Sequence, residues 1–244
     1  MLANLTTVES QSEQNKITDL SAYNVYMGWY AGKVEDCGAW MDSLHKENSD
    51  MCMGISEYGA DTNVQYHSDA PKRQDYTEEY QSYYHEKMLQ AIQERPYLWC
   101  SFVWNMFDFA ADARDQGGEP GMNHKGLMTF DRKVKKDSFY IYKAYWSKEP
   151  FVHLCGSRYV DRTEAVTTVK VYSNQTKVAL YANGKLLEEK TGNKVFEFRV
   201  PLNGEVRLEA VSGQAKDTST IRRVSQPNPD YKLKKSKGKS QNWV

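Results

Sequence analysis

The chain has 244 residues, 40% of them apolar, and its 32 Lys and Arg cancel its 32 Asp and Glu. That length suffices for one large domain or two ordinary ones. The even charge argues against the basic face that a grip on nucleic acid needs, and no apolar run reaches the length of a membrane-spanning helix. Residues 2–8 open with a short apolar stretch before polar residues 9–19. Residues 22–30 (AYNVYMGWY) read as an aromatic strand, residues 35–47 as an amphipathic helix, and residues 51–56 (MCMGIS) as a compact apolar strand ending at Glu57. A loop with Pro71 leads to residues 77–95, rich in Glu, Gln, Lys, Met and Leu, which predict a helix that Pro96 stops. Residues 97–107 (YLWCSFVWNMF) then predict a buried strand. Strand, helix, strand, helix with near-continuous apolar strands is the pattern of parallel α/β architecture.

After Pro150 the texture changes to short Val-, Thr-, Tyr- and Phe-rich strands at 152–154, 167–172, 177–181, 195–200 and 206–211. Asn183-Gly184 and Asn203-Gly204 read as hairpin turns, because Asn and Gly tolerate positive φ. The expected fold is therefore α/β in residues 1–149, a small immunoglobulin-like β-sandwich in residues 150–224, and a polar, Lys-rich linker in residues 225–244. Cys37, Cys52, Cys100 and Cys155 have no metal-ligand spacing, and Cys52 and Cys100 sit in apolar runs, so reduced buried thiols and a cytoplasmic setting are expected. Residues 1–5 lack the pattern of a signal peptide.

Aromatic residues make up 13% of the chain, with 17 Tyr and 6 Trp, and many gather at strand ends. Asn24, Tyr26, Trp29 and Tyr30 follow one strand, Glu57 and Tyr58 end the next, and Trp104, Asn105 and Asp108 end the last. In a (β/α) barrel the carboxyl ends of the strands form one face, where such groups converge. Phenols and amides hydrogen-bond hydroxyls, an indole walls a sugar face, and a carboxylate can attack an anomeric carbon. The scattered His45, His67, His85, His124 and His153 offer no ligand spacing, so no metal is implied.

The segments NVYMGWY (24–30), ISEYGA (55–60) and FVWNMFDF (102–109) resemble glycoside hydrolase family 2, which contains β-galactosidases, β-glucuronidases and β-mannosidases. The segment at 121–147 resembles the end of the barrel in bacterial β-galactosidases of that family. The resemblance implies the C-terminal half of a TIM (β/α)8 barrel, with strands five to eight at 2–7, 22–30, 51–57 and 97–105. It makes Glu57 the nucleophile, Tyr26 its hydrogen-bonding partner, and Trp104 the wall of the sugar subsite, with Asn24 and Asp61 as hydroxyl contacts. A retaining glycosidase needs a second carboxyl group roughly 5–5.5 Å from the first, which the family places on a Glu after an Asn at the end of strand four. No such pair precedes residue 2, so the chain reads as a fragment, with residues 241–244 resembling the opening of a further domain. The isolated chain is expected to be inactive toward β-glycosides, its partner being the missing N-terminal half, with homo-oligomers conceivable.

Asn123-His124-Lys125 has the Asn-x-Lys spacing with which β-glucuronidases of the family bind a substrate carboxylate. The residues flanking it, 131–133 and 139–146, lean toward β-galactosidase, which is the expected activity, with β-glucuronidase or galacturonidase as the alternative. No cofactor is required, although relatives bind Mg or Na ions. The alternative of another class is a non-catalytic carbohydrate-binding or assembly module.

Overall fold

The computed structural model describes residues 1–6 and 12–234. Four short parallel strands, β1 (Leu2–Leu5), β2 (Leu20–Asn24), β3 (Cys52–Tyr58) and β4 (Ser101–Val103), lie side by side in chain order. Leu2 sits opposite Ser21 and Leu20 opposite Cys52. Parallel neighbours need crossovers, which here carry α1 (Cys37–Glu47) between β2 and β3 and α2 (Glu78–Gln93) between β3 and β4. Thr77 caps α2 by accepting the Tyr80 N–H, and Glu78 and Glu79 occupy its first turn, where the helix dipole favours acids. Tyr23, Met41, Met53, Ile55, Tyr58, Tyr84 and Met88 fill the core between sheet and helices. Among the described residues β1 and β4 have one neighbour each, and Trp99 and Phe102 near β4 are 39% and 49% exposed.

Two expected strands are shorter than their aromatic runs. The run at 22–30 leaves the sheet after Asn24: Gly28 takes a φ of 85°, and the Trp29 N–H bonds the Tyr26 carbonyl at 3.0 Å, turning the chain across the strand ends. Of the run at 97–107 only Ser101–Val103 forms a strand of the sheet, while Phe107 makes an isolated bridge to Met128. Beyond those points Tyr26, Tyr30 and Trp104 line a cavity at the strand ends, whereas Trp29 packs into the core. A hairpin, β5 (Phe109–Gln116) and β6 (Glu119–Asn123), and a third helix, α3 (Asp137–Trp146), complete this region. Cys52 and Cys100 are half-buried rather than sealed, and all four cysteines are free thiols.

Beyond Pro150 two sheets share one core. One has the order β11 (Lys185–Thr191), β10 (Lys177–Ala182), β13 (Glu205–Ser212), β14 (Ala215–Arg223), β8 (Asp161–Arg162). The other runs β12 (Lys194–Pro201), β9 (Val166–Ser173), β7 (Val152–Leu154). Val169, Val171, Leu180, Phe196, Phe198, Val200 and Leu208 interdigitate between them. Asn183 and Gly184 have φ of 50° and 76°, the type I′ signature, whereas at the second turn only Gly204 (φ 81°) is positive. The linker expected at 225–244 reaches the described residues only to Lys234, with Pro229–Tyr231 a 3-10 turn; the domain opening expected at 241–244 lies outside them.

A buried ionic chain joins the two regions. Arg158 pairs with Glu78 at the start of α2, and His153 on β7 lies 2.8 Å from Asp137 on α3 and 3.4 Å from Asp217 on β14. Burial alone would lower the His153 pKa, but the two carboxylates outweigh it and lift it to about 9. An imidazolium held this way stabilises the fold fully below its unfolded value near 6.5 and loses that contribution as pH rises through about 9. Between pH 6.5 and 8, below the range in which unfolded thiols ionise, urea denaturation is expected to show a stability loss of about 1–2 kcal/mol, absent in His153→Gln.

Candidate active site

Glu57 stands at the end of β3, and the Tyr26 hydroxyl donates to its Oε2 at 2.6 Å. Burial, and then the Glu57 carboxylate beside it, hold the Tyr26 phenol far above its ordinary pKa, so it stays a donor. Beside them the Ser56 hydroxyl donates to Asn24 Oδ1 at 2.7 Å. The next residue but one, Gly59, has no space for a side chain, since a Cβ would lie 2.1 Å from the Trp104 carbonyl oxygen. That contact sets the end of β3 against the end of β4 and brings Trp104 to the same opening. Tyr26, Asn24, Glu57, Trp104, Asn123 and Lys125 together line a cavity of about 370 Å³, although they span a hundred positions of sequence.

Asp61 is placed differently from expectation. It is 1% exposed and does not line the cavity. One of its oxygens accepts from Lys125 Nζ; the other accepts from Arg114 at 3.2 Å and from the His124 N–H at 3.0 Å. Burial would raise its pKa, but Lys125 and Arg114 more than offset this and hold the carboxyl below its usual range. Its carboxylate thus faces its two cations rather than the cavity in which a sugar would sit.

Sequence reasoning did not reach Arg114 or assign Tyr30. Arg114 lies on the β5–β6 hairpin, whose Gly117-Gly118 turn (φ 66° and 77°) was the available signal. The Tyr30 hydroxyl oxygen accepts from Arg114 and from Lys125 Nζ, both at 2.8 Å. Two cations thus meet at a phenol oxygen on a side chain that lines the cavity. Phe109, Ala111, Asp112 and Ala113 of the same hairpin complete the wall, with Phe109 edge-on to Trp104 at 5.8 Å.

Beneath the wall the 123–126 segment is clamped from both sides. Lys136, fully buried, donates to Asp108 Oδ1 at 2.7 Å and to the carbonyls of Thr62 and His124 at 3.0 Å. Asp108 in turn accepts the Gly126 N–H at 2.9 Å. Lys125 is therefore held by backbone on either side and by Asp61 and Tyr30 at its tip. A larger cavity of about 520 Å³ lies between α2 and the β-sandwich and contains none of the expected site residues. Among the described residues Asp137, His153 and Cys155 bring donor atoms within 4.8 Å of one another, but His153 there serves the ionic chain between the two regions.

No family model matches the chain. A β-glucuronidase of Bacteroides fragilis is 41% identical over 176 residues, 70% of this chain and 25% of that protein. The crystal structure of an FMN-binding β-glucuronidase from Facaelibacterium prausnitzii L2-6 superposes with a TM-score of 0.93 at 48% identity, covering 95% of this chain and 36% of that one. A Bacteroides fragilis structure, described provisionally as a β-galactosidase, gives a TM-score of 0.80 at 36% identity over 86% of this chain and 33% of its own. The chain thus spans a quarter to about a third of the length of these three proteins. These homologues are glycoside hydrolases, and the 244 residues correspond to one part of such an enzyme.

Proposed function

We propose that the chain carries the nucleophile and the carboxylate-recognising wall of a retaining β-glucuronidase of glycoside hydrolase family 2. The observation that carries this reading is Lys125, held beside Asn123 and Tyr30 in the same cavity as the Tyr26–Glu57 pair. Lys125 and Arg114 put two cations together at the Tyr30 side of the cavity, a local arrangement suited to a uronate carboxylate. The names of the relatives favour the glucuronide over the galactoside expected from residues 131–133 and 139–146. The galactoside remains the second reading, favoured by the provisionally described β-galactosidase.

In this reading the Glu57 carboxylate attacks the anomeric carbon, a glycosyl ester forms, and the aglycone leaves with a proton from an acid/base outside the 244 residues. Water, deprotonated by that same group, then releases the sugar and restores the carboxylate. β1 to β4 are strands five to eight of a (β/α)8 barrel, the other strands pair with the open edges of β1 and β4, and the β-sandwich is an immunoglobulin-like domain.

Lys125→Met tests the substrate class. Titrated by calorimetry, the variant is expected to bind methyl β-glucuronide roughly tenfold to a hundredfold more weakly, the range of a charge-assisted hydrogen bond, with methyl β-galactoside unaffected. Equal weakening of both sugars, or of the galactoside alone, contradicts the glucuronide reading.

A further inference from the structure

The geometry points to Asp61 as a positioning residue that fixes the two cations of the cavity wall, and through them the Tyr30 hydroxyl, in the arrangement that selects a carboxylate-bearing sugar. This rests on the glucuronide reading and names the part that sets its selectivity. Lys125 Nζ and Arg114 both donate to one phenol oxygen at 2.8 Å. Two cations at such separation repel each other strongly in a buried setting. Lys125 is 1% exposed and Arg114 6%, so solvent screens them only weakly.

Asp61 resolves the repulsion. One carboxylate oxygen meets Lys125, and the other meets Arg114 at 3.2 Å. The His124 N–H at 3.0 Å holds Asp61 itself, which ties the carboxylate to the backbone next to Lys125. The two cations then stay together on the Tyr30 oxygen, where a substrate carboxylate can meet them. Without Asp61 the two cations separate, Tyr30 loses a donor, and the fixed arrangement is lost. The nucleophile is spared, because Tyr26 and Glu57 bond each other independently of Asp61.

The test titrates the 244-residue chain with methyl β-glucuronide and methyl β-galactoside, as wild type, Asp61→Asn, Asp61→Glu and Lys125→Met. Asp61→Asn is expected to weaken glucuronide binding about tenfold, the scale of one charge-assisted contact, and to leave galactoside binding within about twofold. Asp61→Glu, which keeps the charge, is expected to restore most of the preference. An Asp61→Asn chain with unchanged preference, or an Asp61→Glu chain as impaired as Asp61→Asn, overturns the assignment, as does equal weakening of both sugars. If Lys125→Met removes the preference while Asp61→Asn does not, Asp61 alone is misassigned. If the wild type shows no glucuronide preference, or Lys125→Met keeps it, the substrate reading falls and this inference with it.

Discussion

Glu57→Gln is expected to slow glycosyl release by roughly four to six orders of magnitude, the scale seen when a nucleophile is removed from its catalytic unit. The substrate for this measurement is dinitrophenyl β-glucuronide, whose phenolate leaves without a proton, so that the attacking carboxylate is tested apart from the acid/base. The Tyr26 donor at 2.6 Å orients one oxygen of Glu57 and leaves the other for the anomeric carbon, within a cavity walled by Trp104. Wild-type chain is expected to release about one equivalent of dinitrophenolate and then slow, because the proposed reading places the group that activates water against the ester outside the described residues. An amide at position 57 retains the shape and the hydrogen bond but cannot form the ester. A burst of equal size from Glu57→Gln contradicts its role.

Lys136→Met is expected to cost about 3–5 kcal/mol of stability in urea, since it leaves a buried carboxylate without its cation. The ammonium is fully enclosed and binds Asp108 together with two carbonyls, so three acceptors lose their donor at once. Burial pulls the Lys136 pKa down, against the opposing pull of Asp108, which marks how much this pair depends on mutual contact. Adding Asp108→Asn to Lys136→Met is expected to recover part of the loss, because the amide has no charge to strand and still accepts from Gly126. A single-variant loss below about 1 kcal/mol, the scale of an exposed pair, contradicts the clamp.

Glu57, Tyr26, Asn24 and Trp104 could be found from sequence because each follows an apolar run that must be a buried strand, and strand ends of a parallel sheet share one face. The helices at 37–47 and 78–93 were equally open to reading, the first through its amphipathic pattern and the second through its composition and Pro96. Asp61 was not, since a carboxylate three residues beyond a strand looks the same whether it meets a sugar or a lysine. Its partners, Arg114 and Lys125, are distant in sequence and are brought to it by a hairpin whose strand FAADARDQ alternates poorly and contains no β-branched residue. β11 and β14 were missed for a related reason. KLLEEKT and AKDTSTIRR are dominated by charged and polar side chains, and of these residues only Ile221 is buried, so tertiary pairing rather than pattern makes them strands.

Covalent trapping tests the central claim most directly. The chain is incubated with a 2-fluoro-glucuronosyl fluoride, whose leaving group needs no acid and whose ester hydrolyses slowly, and its peptides are mapped by mass spectrometry. One adduct on the peptide holding Glu57, lost in Glu57→Gln and much slower to form with the corresponding galactosyl fluoride, is the predicted result. An adduct on any other carboxylate, or faster labelling by the galactosyl reagent, would contradict it.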